Sequence, residues 1–242
     1  MREDGRVVTM RTFSAWQRYA WVAGIVFVIA FLAETVISVG VGVNQNDSAA
    51  KIANALYSHR ETLLTIAYLS VVYAAMFLIY LSRLYDLLRG DTARRRFLGA
   101  VVLTGGALFV ALHAVSDIGI TGLLGAKLAS FASLHDPGVA YTLYLMTFGL
   151  DSVGDVFGSL FAVAAGMLVI ESGVLPRWLG WVSILAGILF FLQGFGLGGV
   201  IASFGLVLDL IGFVLFLIFV LVSSVILLRR QNALPGTADG TR

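Results

Sequence analysis

Six ionisable side chains, Glu34, His113, Asp117, Asp151, Asp155 and Asp209, stand in or at the edge of stretches otherwise built from Leu, Val, Ile, Phe, Ala and Gly, and no lysine or arginine accompanies them. An ionisable group at bilayer depth costs several kcal/mol on most scales, so such residues pair, hold protons, bind ions or reach water. Carboxylates close together in a low-dielectric setting repel when ionised, so a cluster holds and releases protons and attracts cations or amines. That chemistry suits a small proton- or cation-linked transporter or ligand-binding protein, with Glu34, Asp117, Asp151, Asp155 and Asp209 as its ligand- or proton-binding candidates.

A second chemistry follows from spacing. His113 and Asp117 stand at i, i+4, and Asp151 and Asp155 repeat that interval, which puts two ligands on one face of each helix. One imidazole with carboxylates suits a divalent metal such as zinc, manganese or iron. Metal-activated water would then hydrolyse a lipid or another amphiphile, as in a membrane-embedded hydrolase. Ligand supply is thin, because His59 and His135, the other two histidines, fall in expected outer loops. A third reading has no chemistry: acids near a membrane boundary are wetted, or hydrogen-bonded to neighbouring serines and backbone, in a structural or partner-binding protein.

Other signatures are missing. The chain has no GxSxG, no HExxH and no P-loop, and the absence of cysteine removes thiol chemistry and disulfides. Net charge is only +2, so the basic pI is no nucleic-acid signal. Arginine outnumbers lysine 14 to 2, and with the Ala, Gly and Val richness this usage points to a high-GC bacterium.

The elements that must position these groups are membrane helices. The chain is 59% hydrophobic, and its apolar runs reach the ~20 residues that span a ~30 Å hydrocarbon core. Hydropathy predicts an all-α bundle of six spans, about 19–40, 63–83, 98–120, 148–171, 179–199 and 204–228. Residues 1–18 form a cytoplasmic leader, 19–228 the transmembrane domain, and 229–242 a tail expected to be disordered. The fourth span could begin earlier, since Tyr141 to Leu150 is also apolar, but Gly122 to Thr147 reads as a loop holding at most an interfacial helix. The apolar run of the first span is longer than a signal peptide core, so cleavage is not expected. Thirteen of the sixteen bases flank one side of this topology, Arg94, Arg95 and Arg96 among them, and only Lys51, Arg60 and Lys127 flank the other. The positive-inside rule then places both termini in the cytoplasm. Trp16, Trp21, Trp178 and Trp181 fall where an interfacial aromatic belt belongs.

Counted along each helix at ~1.5 Å per residue, the acids and His113 come out roughly 22–30 Å from the cytoplasmic ends, all in the outer third. On the fourth span Asp151, Ser152, Asp155, Gly158, Ser159, Ala162 and Gly166 share one face. Small residues let helices approach, so this stripe is expected to face the bundle interior, and Gly-rich faces of this kind also allow oligomerisation. Gln193 with Gly194, Gly196, Gly198 and Gly199 could loosen the fifth span in the same layer.

Two segments carry a family resemblance: the opening Arg18-Tyr-Ala-Trp-Val-Ala-Gly-Ile-Val-Phe-Val-Ile-Ala, and the hairpin Gly173-Val-Leu-Pro-Arg-Trp-Leu-Gly-Trp. They resemble a family of six-helix bacterial integral membrane proteins, a domain of unknown function. The resemblance implies a multipass protein of the bacterial plasma membrane and lends no catalytic residues. The partners expected are therefore the lipid bilayer and a small cationic or amphiphilic ligand, with no nucleic acid.

Overall fold

Backbone polar groups in lipid must be satisfied within the segment, so long apolar runs become helices. The computed structural model describes residues 15–43, 47–127, 136–194 and 202–233, and among these the ordered elements are all helical. They are α1 (Ala15–Val39), α2 (Ala49–Ser58), α3 (Arg60–Leu88), α4 (Ala93–Ala114), α5 (Gly122–Lys127), α6 (Pro137–Ser172), α7 (Arg177–Gly194) and α8 (Ala202–Ala233). A π-helical segment, Val115–Thr121, joins α4 to α5 without a break.

Five of these stretches are long and apolar enough to cross a membrane: Arg18–Val39, Arg60–Leu88, Ala93–Ala126, Pro137–Ser172 and Leu210–Gln231. The sixth expected span corresponds to α7, an apolar helix of 17 residues over Arg177–Gln193; its expected continuation to 199 lies outside the described residues.

Two helices stand where sequence reading expected loops. The stretch Gly122 to Thr147 is corrected at its second half, because α6 starts at Pro137. Asp136 caps it, its side chain accepting from the amides of Gly138 (2.7 Å) and Val139 (3.2 Å). Proline at the first helical position follows, where its missing N–H costs nothing. Between the first two spans, Ser48 accepts from the Lys51 amide at 3.3 Å and starts α2, which buries Ile52, Ala53 and Leu56. At the far end, residues 229–233 continue α8 rather than belonging to the tail; 234–242 and 1–14 lie outside the described residues.

The six long helices close a ring in chain order: α1 packs on α3, α3 on α4, α4 on α6, α6 on α7, α7 on α8, and α8 on α1. The α6–α7, α4–α6 and α1–α3 joints are extensive, and α3 packs along α4 and along the π-helical segment and α5 that continue it. Glycines make the close joints possible. A Cβ on Gly105 would lie 2.9 Å from the Phe161 amide nitrogen, and one on Gly187 would lie 2.8 Å from the Ser159 carbonyl. Helix α6 ends on Gly173, whose φ of +64° is the left-handed value that glycine adopts without strain.

One end of the ring gathers both terminal helix ends. There Arg94 on α4 pairs with Glu171 on α6 at 2.7 Å, and Arg230 on α8 donates to the Val174 carbonyl of the α6–α7 turn. Trp178 and Trp181 are exposed at this end, as a belt requires, but Trp21 is corrected: it is buried edge-on against Tyr80, with centroids 6.2 Å apart. The Arg83 guanidinium lies 6.0 Å from the Trp21 ring centroid, so the indole serves the bundle and not the interface.

Candidate functional site

Each helix of the ring sends one phenylalanine to its axis: Phe27 from α1, Phe77 from α3, Phe109 from α4, Phe161 from α6, Phe190 from α7 and Phe216 from α8. All six are buried. Phe216 stands at the centre, with ring centroids 6.0 Å from Phe27, 5.8 Å from Phe77, 5.4 Å from Phe109, 6.0 Å from Phe161 and 5.8 Å from Phe190. Most of these pairs are edge-on or tilted, the arrangements that ring quadrupoles favour. The bundle therefore has a solid aromatic plug rather than an open pore.

The acids lie on the side of the plug away from the chain termini. Glu34 stands seven residues along α1 from Phe27 and is buried, with only 9% of its surface exposed. Asp117 belongs to the π-helical segment, whose wider turns shift side chains off the α-helical register and often mark functional positions. Its Oδ2 accepts from the Tyr73 hydroxyl at 2.5 Å. Ser70 Oγ lies 3.2 Å from the same oxygen and 2.9 Å from the Ile66 carbonyl; with one proton to give, it serves one of them at a time.

Glu34, Asp117 and Asp151 line one cavity of about 220 Å³, together with Ser38, Thr121, Tyr144 and Thr147. Val41, Val43 and Leu56 cover it from the α2 side, and among the described residues that line it there is no lysine or arginine. The space holds several waters or a small organic cation. The three carboxylates come from α1, the π-helical segment and α6, so the cavity exists only when the ring is assembled.

His113 and Asp155 form a buried pair between the acids and the plug, His113 Nε2 standing 3.6 Å from Asp155 Oδ1. His113 Nδ1 is 2.9 Å from the Phe109 carbonyl, which can only accept, so Nδ1 carries a proton. Nε2 is left facing the carboxylate at ion-pair distance. The imidazole lies tilted against Phe109, with centroids 4.5 Å apart, and fills the space of a missing side chain, because a Cβ on Gly154 would lie 2.7 Å from its ring. A Cβ on Gly158 would meet the Phe109 ring at the same 2.7 Å. This GxxxG of α6 thus seats two rings of α4, and the small-residue stripe faces the interior as its spacing predicts.

Beyond the plug, toward the termini, lies a second polar group. Tyr80 Oη is 2.7 Å from Ser223 Oγ, and Ser223 donates to the Val220 carbonyl at 3.0 Å, so Tyr80 is the donor between them. Gly24 faces Ser224 here, with no room for a Cβ.

The structure thus gathers Glu34, Asp117 and Asp151 on one cavity and sets His113 with Asp155 beneath them. Asp209 lies in α8, seven residues before Phe216, and its side chain is outside the described residues. Among the described residues no three His, Asp or Glu side chains converge as metal ligands. His113 and Asp155 supply two groups, and Asp117 accepts from Tyr73.

Sequence reasoning passed over Tyr73, Tyr144 and the plug. A signal for the plug exists: Phe27, Phe109, Phe161 and Phe216 stand seven, eight, six and seven residues from Glu34, Asp117, Asp155 and Asp209, in each case toward the basic end of the helix. Two turns below an acid, a large ring shares its face.

No curated protein and no solved structure matches the chain. Residues 22–228 do match a family model described as a domain of unknown function, DUF4386. That match covers α3 to α7 entirely and nearly all of the ring, so the chain belongs to this family of apolar helical proteins.

Proposed function

We propose that the protein is a small cation-binding, carrier-like membrane protein whose site is the cavity lined by Glu34, Asp117 and Asp151. The observation that carries this reading is the convergence of three carboxylates from three segments on one cavity, with no lysine or arginine among the described residues that line it. Such a cavity lowers the free energy of a cation and raises that of an anion. A protonated amine or hydrated metal cation fits its size, and the titratable His113–Asp155 pair beneath it supports exchange of a bound cation with protons.

The full topology belongs to the same proposal: six spans within 19–228, a cytoplasmic leader and tail, and a bacterial plasma membrane with the acids facing out. The ring supports counting α7 as the sixth span, since Phe190 reaches the same plug as its five partners. The base distribution supports the orientation. A reporter fused after Arg230 that reads periplasmic overturns it.

Binding is tested on the purified protein by calorimetric titration with putrescine, tetramethylammonium and calcium as probe cations, and chloride or phosphate as anionic controls. Removing one partner of a buried charge contact costs about 2–5 kcal/mol. Asp151→Asn and Glu34→Gln should therefore weaken binding of the favoured cation at least ~30-fold. The reading fails if no cation binds, or if binding is untouched in both variants while their unfolding curves match the parent.

A further inference from the structure

The surface of the bundle carries a second pocket, independent of the acidic cavity. A groove of about 460 Å³ runs between α4, α6 and α7, walled by Phe97, Val101, Val163, Met167 and Ile188 and almost wholly apolar. Its rims are exposed: Phe97 shows 68% of its surface.

The ends of the three helices give the groove a direction. On α4, Arg94 shares the stripe of Phe97, Leu98 and Val101, one turn nearer the terminal end. On α6, Glu171 continues the stripe of Val163, Ala164 and Met167, and it pairs with Arg94 at 2.7 Å. On α7, Arg177 and Trp181 begin the stripe that Ile188 continues. Two arginines and one glutamate thus close the terminal end, with Arg96 one residue away, and the balance there is positive. A long apolar slot with a cationic end at an interface is complementary to an acyl chain carrying an anionic headgroup.

We infer that this groove is a binding site for one anionic phospholipid of the surrounding bilayer, its acyl chain along α4, α6 and α7 and its phosphate at Arg94 and Arg177. Charge argues against a second copy as the occupant. A two-fold contact through this face would bring the Arg94–Arg96 runs of both copies together, and like charges across an interface cost affinity.

Native mass spectrometry of the full chain in mild detergent, doped with phosphatidylglycerol or phosphatidylcholine, tests the inference. The parent should retain one phosphatidylglycerol and release phosphatidylcholine. Arg94→Gln with Arg177→Gln should lose that preference at least tenfold, Val163→Phe should expel the lipid by filling the slot, and Arg89→Gln, off the groove stripe, should behave as the parent. Equal retention of both lipids by the parent overturns the inference, as does full retention in the double variant. The chain contains no cysteine, so Phe97→Cys reports on the other occupant without background. Efficient disulfide dimers of that variant in liposomes would assign the groove to a second copy and also overturn the lipid site.

Discussion

Phe216 is the residue on which the architecture can be tested most sharply. It is 1% exposed and its ring meets those of Phe27, Phe77, Phe109, Phe161 and Phe190 at 5.4–6.0 Å. Phe→Ala in a water-soluble core costs about 3–5 kcal/mol, much of it for transfer from water. Helices separating in a bilayer do not expose the ring to water, so that part falls away and lost packing remains. Aromatic pairs contribute ~0.5–1.5 kcal/mol each beyond burial, and five share this ring, so roughly 3 kcal/mol is expected for Phe216→Ala. The void it leaves is lined by rings, and apolar cavities of this kind stay dry. Phe216→Ala should therefore be destabilised without leaking. Phe216→Asn brings polar atoms to the same void, so water can enter and connect the acidic cavity with the Tyr80–Ser223 pair. Unfolding in mixed micelles reads the first effect. Proton leak into proteoliposomes loaded with a pH-sensitive dye reads the second. Equal leak from both variants refutes the dry plug, and unchanged stability in Phe216→Ala refutes the packing that places Phe216 at the axis.

Further outcomes follow from the same geometry. Gly154→Ala places a methyl 2.7 Å from the His113 ring and should cost about 1–3 kcal/mol in unfolding assays while weakening cation binding; Gly149→Ala, with open space around it, should be neutral or gain up to ~1 kcal/mol. Tyr73→Phe removes the 2.5 Å donor to Asp117 and should lower unfolding stability by about 1.5–3 kcal/mol, with Ser70→Ala costing less because its hydroxyl can serve Ile66 instead. Elemental analysis of the purified protein should find zinc, manganese and iron below one per chain; a stoichiometric metal lost in His113→Ala would favour the hydrolase alternative.

Much of this arrangement is visible in the sequence, and the exceptions have physical causes. Bilayer-scale hydrophobicity and the arginine distribution mark the long helices, because lipid offers the backbone no other solution. The α6 stripe is legible as well, since Asp155, Gly158, Ser159 and Ala162 hold one face over whole turns. The apolar run from Tyr141 allowed an earlier start of α6, but the signal that fixes it is the local pair Asp136-Pro137. Hydropathy passed over α2 because ten amphipathic residues are too short to register as a span. The partners of Asp117 were illegible for another reason. Tyr73 and Ser70 lie 44 and 47 residues away, and only the α3–α4 packing reveals which of many hydroxyls it meets. Trp21 shows the limit of reading aromatics by depth: its height fits a belt, while its azimuth turns it toward Tyr80.

A pocket that binds cations and a carrier that moves them differ in whether the plug can part, and the ring has seams where it would. Helices α4, α6 and α7 are joined by glycine contacts and α1 is closely joined to α3, so a division between α1–α3 and the remaining helices would run along the α3–α4 and α1–α8 joints. Hydrogen bonds cross between these groups on each side of the plug: Tyr73, with Ser70 as an alternative donor, to Asp117 near the acids, and Tyr80 to Ser223 near the termini. Rocking of α1–α3 against the remaining helices would break those on one side while those on the other held, and it would draw Phe27 and Phe77 away from Phe216. The cavity straddles the same division, with Glu34 on one side and Asp117 and Asp151 on the other, so a bound cation bridges both groups. Tyr80→Cys with Ser223→Cys should then lock the terminal seam when oxidised. Because the parent has no cysteine, the only disulfide formed is this one. A carrier so locked should bind its cation at parental affinity yet exchange it across proteoliposomes at least tenfold more slowly, with exchange restored by reduction. Undiminished exchange in the locked protein would place the path of the cation outside this seam, and parental binding without exchange even when reduced would make the site a receptor pocket instead of a carrier.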